Sequence, residues 1–290
     1  MSLMSKLLTA TLIASVSLSA TPTDKELMKY VKRNIIKNGS VKINSIEILE
    51  KRTIPALKGW EAFLTNIHIT FNKKDVDVPE MMFVNRNVIT PVLVDYTTGK
   101  NYRNEIRPNA TKEYYDDKHL LMGNANAEHK ILIFSDPQCP FCQDIMPDIF
   151  KAVRKNPNTF ALYYYHLPLL RIHPVSGPLT RAMHVAQTKG DIDAITKFYS
   201  MKINPKETNE DKIIKAIKEQ TGFVITKGEL NSKEVMDAMI ADEKMSSKLM
   251  ISGTPTVYLD DKWDKKRDGY LEFLPKPKPV SATKNAPKAK

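Results

Sequence analysis

A chain of 290 residues, 42% hydrophobic and 27% charged, is long enough for two ordinary globular domains. Past the N-terminus no apolar run approaches the roughly 18 residues a membrane-spanning helix needs. The net charge of +11 does not mark a nucleic-acid partner: Lys276, Lys278, Lys284, Lys288 and Lys290 crowd the C-terminal end, arginine is sparse, and no basic helix with interleaved aromatics occurs.

The N-terminus has the order of a secretory signal peptide over residues 1–20. Met1 to Lys6 carries one positive charge, Leu7 to Leu18 is a short apolar stretch, and Ser17-Leu-Ser19-Ala20 offers small residues for cleavage before polar Thr21-Pro22-Thr23-Asp24. No cysteine stands near the cleavage point, so lipid attachment through one is excluded. The mature protein is expected free in an oxidising extracytoplasmic space, where disulfides persist.

Residues 21–100 read as a small α+β domain. Thr23 and Glu26 form a capping box, and Leu27, Met28, Val31 and Ile35 follow on one helical face until Gly39 stops the helix. Strands are expected over Val41 to Leu49 and Gly59 to Phe71, the second with Phe63, Ile67, Ile69 and Phe71 alternating against polar residues. A shorter pair, Met81 to Val84 and Val88 to Asp95, turns at Asn85-Arg86-Asn87, and Pro91 marks the latter as an edge strand. The domain holds no cysteine and no cluster of catalytic residue types, so interaction is a better reading than chemistry; an exposed edge invites another copy to pair.

Residues 101–126 turn polar and charged and read as a linker, with Tyr114 to Lys118 as a short helix and Gly123-Asn-Ala-Asn126 as a turn. The apolar run Ile131-Leu-Ile-Phe134 then reads as a buried strand, broken at Ser135-Asp136-Pro137. Ile145, Ile149, Phe150 and Val153 recur at helical spacing behind it. Between them lies Cys139-Pro-Phe-Cys142, which holds the only two cysteines of the chain.

Pro140 suits the first helical position, because its missing N–H is one the helix would leave unpaired anyway. Cys139 therefore stands at a helix N-terminus, where free N–H groups and the macrodipole favour a thiolate. A cysteine so placed in a Cys-x-x-Cys motif has its pKa lowered from about 8.5 into the range of roughly 3.5 to 7.5. Cys139 is the expected attacking thiol. Cys142, one turn further in, is the expected resolving thiol.

A structural zinc site would need four ligands, and the chain has no second Cys pair and no closely spaced His pair. A c-type haem needs a histidine directly after the second cysteine, where Gln143 stands. A purely structural disulfide across so short a loop would constrain the unfolded chain little. No metal and no cofactor are expected.

Further on, Phe160 to Leu167 reads as a strand, and helical patterns fill Gly177 to Lys189, Asp191 to Met201, Glu210 to Thr221 and Ser232 to Ile251, a helical insertion over about 177–251. Strand character returns at Val257-Tyr258-Leu259 after Gly253-Thr254-Pro255. A polar turn from Asp260 to Asp268 follows, and Tyr270 to Phe273 is expected to close a hairpin. Residues 275–290 read as a disordered Lys/Pro tail. His166 and His173 follow the central strand; as histidines near prolines in a loop they suit a structural role better than acid–base work. Trp60, Trp263 and Tyr163 to Tyr165 are expected in the core or lining a cleft.

This order resembles the thioredoxin fold of the bacterial Dsb proteins, and the preceding α+β domain narrows the resemblance to the DsbC/DsbG group. Its most specific parts are Phe134-Ser-Asp136 leading into Cys139-Pro-Phe-Cys142, and Gly253-Thr254-Pro255. The resemblance implies an α/β thioredoxin-like catalytic domain with helical insertion over 127–274, preceded by a small α+β (cystatin-like) dimerisation domain. It implies that Pro140 and Phe141 are the active-site dipeptide, that the Thr254–Pro255 bond is cis, that Pro255 shapes a substrate groove and that Thr254 tunes the thiols.

It also implies a V-shaped homodimer in the periplasm with two sites facing an apolar cleft. Such a protein would be a disulfide isomerase or reductase for unfolded or misoxidised exported proteins, kept reduced by a DsbD-like membrane donor. The alternatives are a DsbA-like dithiol oxidase served by a DsbB-like oxidant, and a holdase chaperone using the cleft. Two departures refine the picture. Phe141 supplies no charge beside Cys139, so the helix terminus is expected to do most of the thiolate stabilisation. Ile133 stands where thioredoxins carry a buried acid, so no side-chain proton acceptor for Cys142 is identifiable.

Overall fold

A computed structural model describes residues 22–275; the signal peptide expected over 1–20 and all but the first residue of the expected tail lie outside them. The chain divides into two compact units between Ile106 and Arg107. In the first, helix α1 (Asp24–Asn34) is opened by the Thr23–Glu26 capping box, with the Glu26 N–H donating to Thr23 Oγ1 at 3.4 Å and the Thr23 N–H to Glu26 Oε2 at 2.8 Å. The helix stops at Asn34, well before Gly39, and Ile35 and Ile36 pack instead against the sheet core around Leu27, Val31, Ile67 and Met82.

The sheet of this unit is an antiparallel meander of β1 (Lys42–Thr53), β2 (Glu61–Phe71), β3 (Lys74–Asn85) and β4 (Val88–Thr90) in sequential order. Two strands differ from expectation. β3 begins seven residues before Met81, because Asn72 and Lys73, both at positive φ, make a two-residue hairpin turn of the kind that matches strand twist. The polar Lys74–Glu80 half of β3 hides this from periodicity. Pro79 is accommodated there since β4 pairs only with Phe83 to Asn85, leaving β3 an edge at that level. β4 is three residues long rather than extending to Asp95, cut off by Pro91.

The second unit carries a five-stranded sheet, order β5-β7-β6-β8-β9. Its elements are β5 (Leu120–Gly123), β6 (His129–Ser135), α2 (Pro140–Lys155), β7 (Phe160–His166), the insertion helices α3 (Ser176–Thr188), α4 (Ile192–Phe198), α5 (Glu210–Thr221), α6 (Lys227–Leu230) and α7 (Lys233–Lys248), then β8 (Thr256–Leu259) and β9 (Lys262–Asp264). β6 and β7 run parallel and the other pairings are antiparallel. β6 is buried on both faces, as a strand inside a layered α/β fold must be. Ile131 and Ile133 pack into the core shared with α2 and the insertion, and Leu132 and Phe134 into a second core with Tyr114, Tyr163, Tyr165 and Tyr258.

Two expectations fail here for local reasons, and a third shifts by one residue. The hairpin closes at β9, not at Tyr270 to Phe273, because Asp260 and Asp261, both at positive φ, turn the chain at once; residues 269–273 form a 3-10 helix whose Tyr270 packs on Phe160. Residues 114–118 are not a helix: a 3-10 turn covers Lys112–Tyr114. The turn expected over 123–126 is present one residue later, closed by the Ala127 N–H donating to the Asn124 carbonyl at 2.8 Å, and Gly123 ends β5. Its φ of 89° and the 2.0 Å that would separate a Cβ from the Phe160 carbonyl leave room only for glycine.

Candidate active site

β6 is central, so the turn leaving its C-terminal end is bounded on one side by β7 and on the other by β8. Phe134 lies opposite Thr256 in the register. That pairing places Thr254 and Pro255, just before β8, beside the turn that carries Cys139. The Thr254–Pro255 bond is cis, and the Cys139 sulfur lies 3.3 Å from the Thr254 carbonyl oxygen, to which it donates when protonated. Cys139 is the N-cap of α2, with Pro140 in its first turn. Thus the structure brings together Cys139, Pro140, Phe141, Cys142, Thr254 and Pro255, the residues singled out in the sequence.

The turn itself is held by Asp136, which is fully buried. Its carboxylate accepts from the N–H groups of Gln138 (2.8 Å) and Leu169 (2.9 Å) and from the Ser176 hydroxyl (2.6 Å), and pairs with His173 Nδ1 at 3.2 Å. One carboxylate therefore ties the cysteine turn to the 167–176 loop, and His173 serves to hold that loop rather than to exchange protons at sulfur. The loop displays Leu170 and Ile172, which with Phe141 are more than half exposed. Such apolar groups in contact with water suit an unfolded peptide. His166 is also structural: it is fully buried, stands edge-on to Tyr164 and beside His184, and burial holds its pKa well below the ordinary range.

The two thiols differ sharply. The Cys139 pKa is lowered to about 5, first by the hydrogen bond from the Cys142 thiol, and then, against the cost of burial, by the Thr254 side chain and the N–H groups of Cys142 and Phe141. The helix terminus contributes, but less than expected; the Cys142 thiol leads. Thr254 Oγ1 is buried without a hydrogen-bond partner, and an anionic sulfur at Cys139, whose pKa the Thr254 side chain lowers, supplies it with an acceptor. Burial pushes the Cys142 thiol up, and its bond to Cys139 adds to that; Ser135 and the Asp136 backbone oppose the rise. One thiol is ionised at neutral pH and the other neutral behind it, an arrangement suited to two-step thiol–disulfide exchange.

A group missing from the sequence reading lies behind Cys142. The Ser135 hydroxyl opposes the rise in the Cys142 pKa, Tyr199 Oη donates to Ser135 Oγ at 2.8 Å, and Tyr164 Oη lies 2.6 Å from Tyr199 Oη. Ser135 was accessible in principle, since strand alternation puts it on the same face as Ile131 and Ile133. Tyr199 was not, because it arrives from the end of α4. Among the described residues no cluster of three or more potential metal ligands occurs, and no helix is long and apolar enough to cross a membrane.

Residues 116–273, just over half of the chain, match the family model described as thioredoxin. Among solved structures, the chain is similar to a thioredoxin-like oxidoreductase from Silicibacter pomeroyi, 22% identical, covering 53% of this chain and 88% of that one with a TM-score of 0.43. It is also similar to oxidised BdbD from Bacillus subtilis, 17% identical over 58% of this chain and 93% of that one, TM-score 0.46. A periplasmic thioredoxin-like protein from Salmonella enterica serovar Typhimurium is 18% identical over 52% and 83% of the two chains, TM-score 0.43. No curated protein matches the sequence.

Proposed function

The chain belongs to the thioredoxin family of thiol–disulfide oxidoreductases, and on that premise we propose that it is a periplasmic disulfide isomerase or reductase of the DsbC/DsbG kind. The observation that carries the reading is the asymmetry of the pair: Cys139 held as a thiolate with a pKa of about 5, Cys142 buried and neutral. In this reading the Cys139 thiolate attacks a client disulfide, forming a mixed disulfide and releasing the second client sulfur, which takes up a proton. If another client thiol then attacks the mixed disulfide, a new client disulfide forms, the Cys139 sulfur leaves as a thiolate, and the client is isomerised with no net electron transfer. If Cys142 attacks instead, the client leaves reduced and the pair oxidised, so a membrane donor of the DsbD kind is needed to restore it. Thr254 and Pro255 position the client strand, and Phe141, Leu170 and Ile172 hold its apolar side chains.

The lowered Cys139 pKa also favours a second reading, a DsbA-like oxidase, because a stabilised thiolate stabilises the reduced form and makes the disulfide more oxidising. Acid quenching and alkylation of cells separates the two. The isomerase is trapped with Cys139 and Cys142 mainly reduced; a pair trapped almost wholly oxidised belongs to an oxidase fed by a DsbB-like partner.

In the same proposal the first unit joins two chains into a homodimer. The support is its open sheet: β1, with twelve residues at one margin of the meander, pairs only with β2 among the described residues and so presents an edge. Sedimentation equilibrium of the mature chain should give twice the chain mass; a single-chain mass at micromolar concentration removes this part.

A further inference from the structure

The buried hydroxyls behind Cys142 are not used by the exchange chemistry set out above. They come from three separate elements: Ser135 ends β6, Tyr164 lies on β7, and Tyr199 follows α4. None is exposed by more than 3%. The Tyr199 ring is fixed edge-on against Phe150 of α2. The direction of the chain follows from counting hydrogens. A phenol has one, and that of Tyr199 goes to Ser135 at 2.8 Å, so across the 2.6 Å contact Tyr164 is the donor and Tyr199 the acceptor. Ser135 Oγ, already accepting from Tyr199, has its own hydrogen left for the Cys142 sulfur.

We infer that Tyr164, Tyr199 and Ser135 form a one-way donor chain that stabilises the Cys142 sulfur as it becomes an anion, and thereby sets the rate at which mixed disulfides on Cys139 are resolved. Burial pushes both phenol pKa values up, so the chain donates hydrogen bonds and never serves as a base. In the step it assists, a bond forms between Cys142 Sγ and Cys139 Sγ while the bond from Cys139 Sγ to the client sulfur breaks. The client sulfur leaves with the electron pair and takes the proton that Cys142 gives up. The pair is oxidised, the client reduced, and Ser135 keeps its hydrogen throughout. In the reverse direction the same donor stabilises Cys142 as leaving group. Ser135 and the tyrosines are positioning residues: a serine whose hydroxyl is free to rotate would point its hydrogen at the sulfur only part of the time, and neighbouring bonds in such a chain strengthen one another.

This inference rests on the proposed exchange at Cys139 and Cys142, and the test separates the two. Reduced protein is mixed with glutathione disulfide, quenched with acid at set times, and the reduced, glutathionylated and internally oxidised forms are counted by intact mass. Ser135→Ala should slow conversion of the glutathionylated to the oxidised form about tenfold or more, the size expected for a hydrogen bond to a developing charge. Tyr199→Phe, which keeps the ring packing, should slow it severalfold, and Ser135→Thr should restore the wild-type rate. Formation of the glutathionylated species should stay within twofold in all three. Wild-type resolution in both Ser135→Ala and Tyr199→Phe overturns the donor chain, as does equal slowing in Ser135→Thr. If the wild-type protein never becomes glutathionylated, the exchange reading fails and takes the inference with it.

Discussion

Cys142→Ala is expected to accumulate covalent complexes with exported clients, visible as slow bands on non-reducing gels that collapse on reduction, whereas Cys139→Ala gives none. The two thiols are not interchangeable, and the magnitudes say by how much. At pH 7 a thiol with a pKa of about 5 is about 99% ionised. Cys142, held above the ordinary thiol pKa by burial, is ionised to about 1% or less. Loss of Cys139 therefore leaves a thiol that is about a hundredfold less ionised and buried out of a client's reach. The functional check is refolding of a scrambled multi-disulfide protein. Native pairing that recovers as fast with Cys139→Ala as with wild type would leave only the holdase reading standing.

Removing Cys142 has a second consequence, because its thiol is the leading donor to the Cys139 sulfur. The variant's thiolate loses that bond, so Cys142→Ala should attack clients at acid pH more slowly than wild type while holding them longer. Separating the two effects requires measuring attack and release individually.

Where the chain's own pattern is local, the structure follows it. The capping box at Thr23 and Glu26, the strand-to-helix junction at Cys139 and the burial of β6 are written in neighbouring residues. The second half of the hairpin and the start of β3 are not, because each depends on a two-residue turn with positive φ at Asp260 and Asp261 or at Asn72 and Lys73. None of these four is glycine, so the usual marker is missing. The candidate site divides in the same way. Cys139, Pro140, Phe141 and Cys142 are contiguous, and Thr254-Pro255 was visible only through family resemblance. The Tyr199–Ser135 bond spans 64 positions and exists because the insertion folds back over the end of β6. Asp136 looked like part of a turn; of its four partners, which make it the fastening of that turn, only Gln138 is local, and Leu169, His173 and Ser176 come from the 167–176 loop.

Titration of Cys139 should move with a single hydroxyl. In the reduced protein, the rate of Cys139 alkylation by iodoacetamide should rise with pH around a midpoint near 5. Thr254→Val, which keeps the shape and removes the hydroxyl, should raise that midpoint by about one pH unit, the equivalent of a hydrogen bond to a charged group. An unmoved midpoint would mean that the buried Thr254 hydroxyl does not serve the sulfur.

The same shift has a thermodynamic sign. Cys139 binds its proton less tightly in the folded than in the unfolded reduced chain. Its contribution to stability is thus fully present above the unfolded pKa near 9, and is lost as pH falls through about 5. Urea unfolding of the reduced protein should therefore show a rise in stability from pH 5 to pH 8 that Cys139→Ala lacks, and that the oxidised protein, with no ionisable thiol, lacks as well.

The kinetic meaning of the low pKa is in release more than in attack. Relative to a thiol of pKa about 8.5, Cys139 is about thirtyfold more ionised at pH 7, but with a Brønsted slope of about 0.4–0.5 its thiolate is about 25- to 55-fold weaker as a nucleophile. The two nearly cancel, so attack at neutral pH gains little. What remains is a sulfur that leaves a mixed disulfide readily, the property an isomerase needs to let a wrongly held client go. Thr254→Val should accordingly lengthen the life of Cys139–client disulfides in a Cys142→Ala background more than it changes the rate at which they form at pH 7.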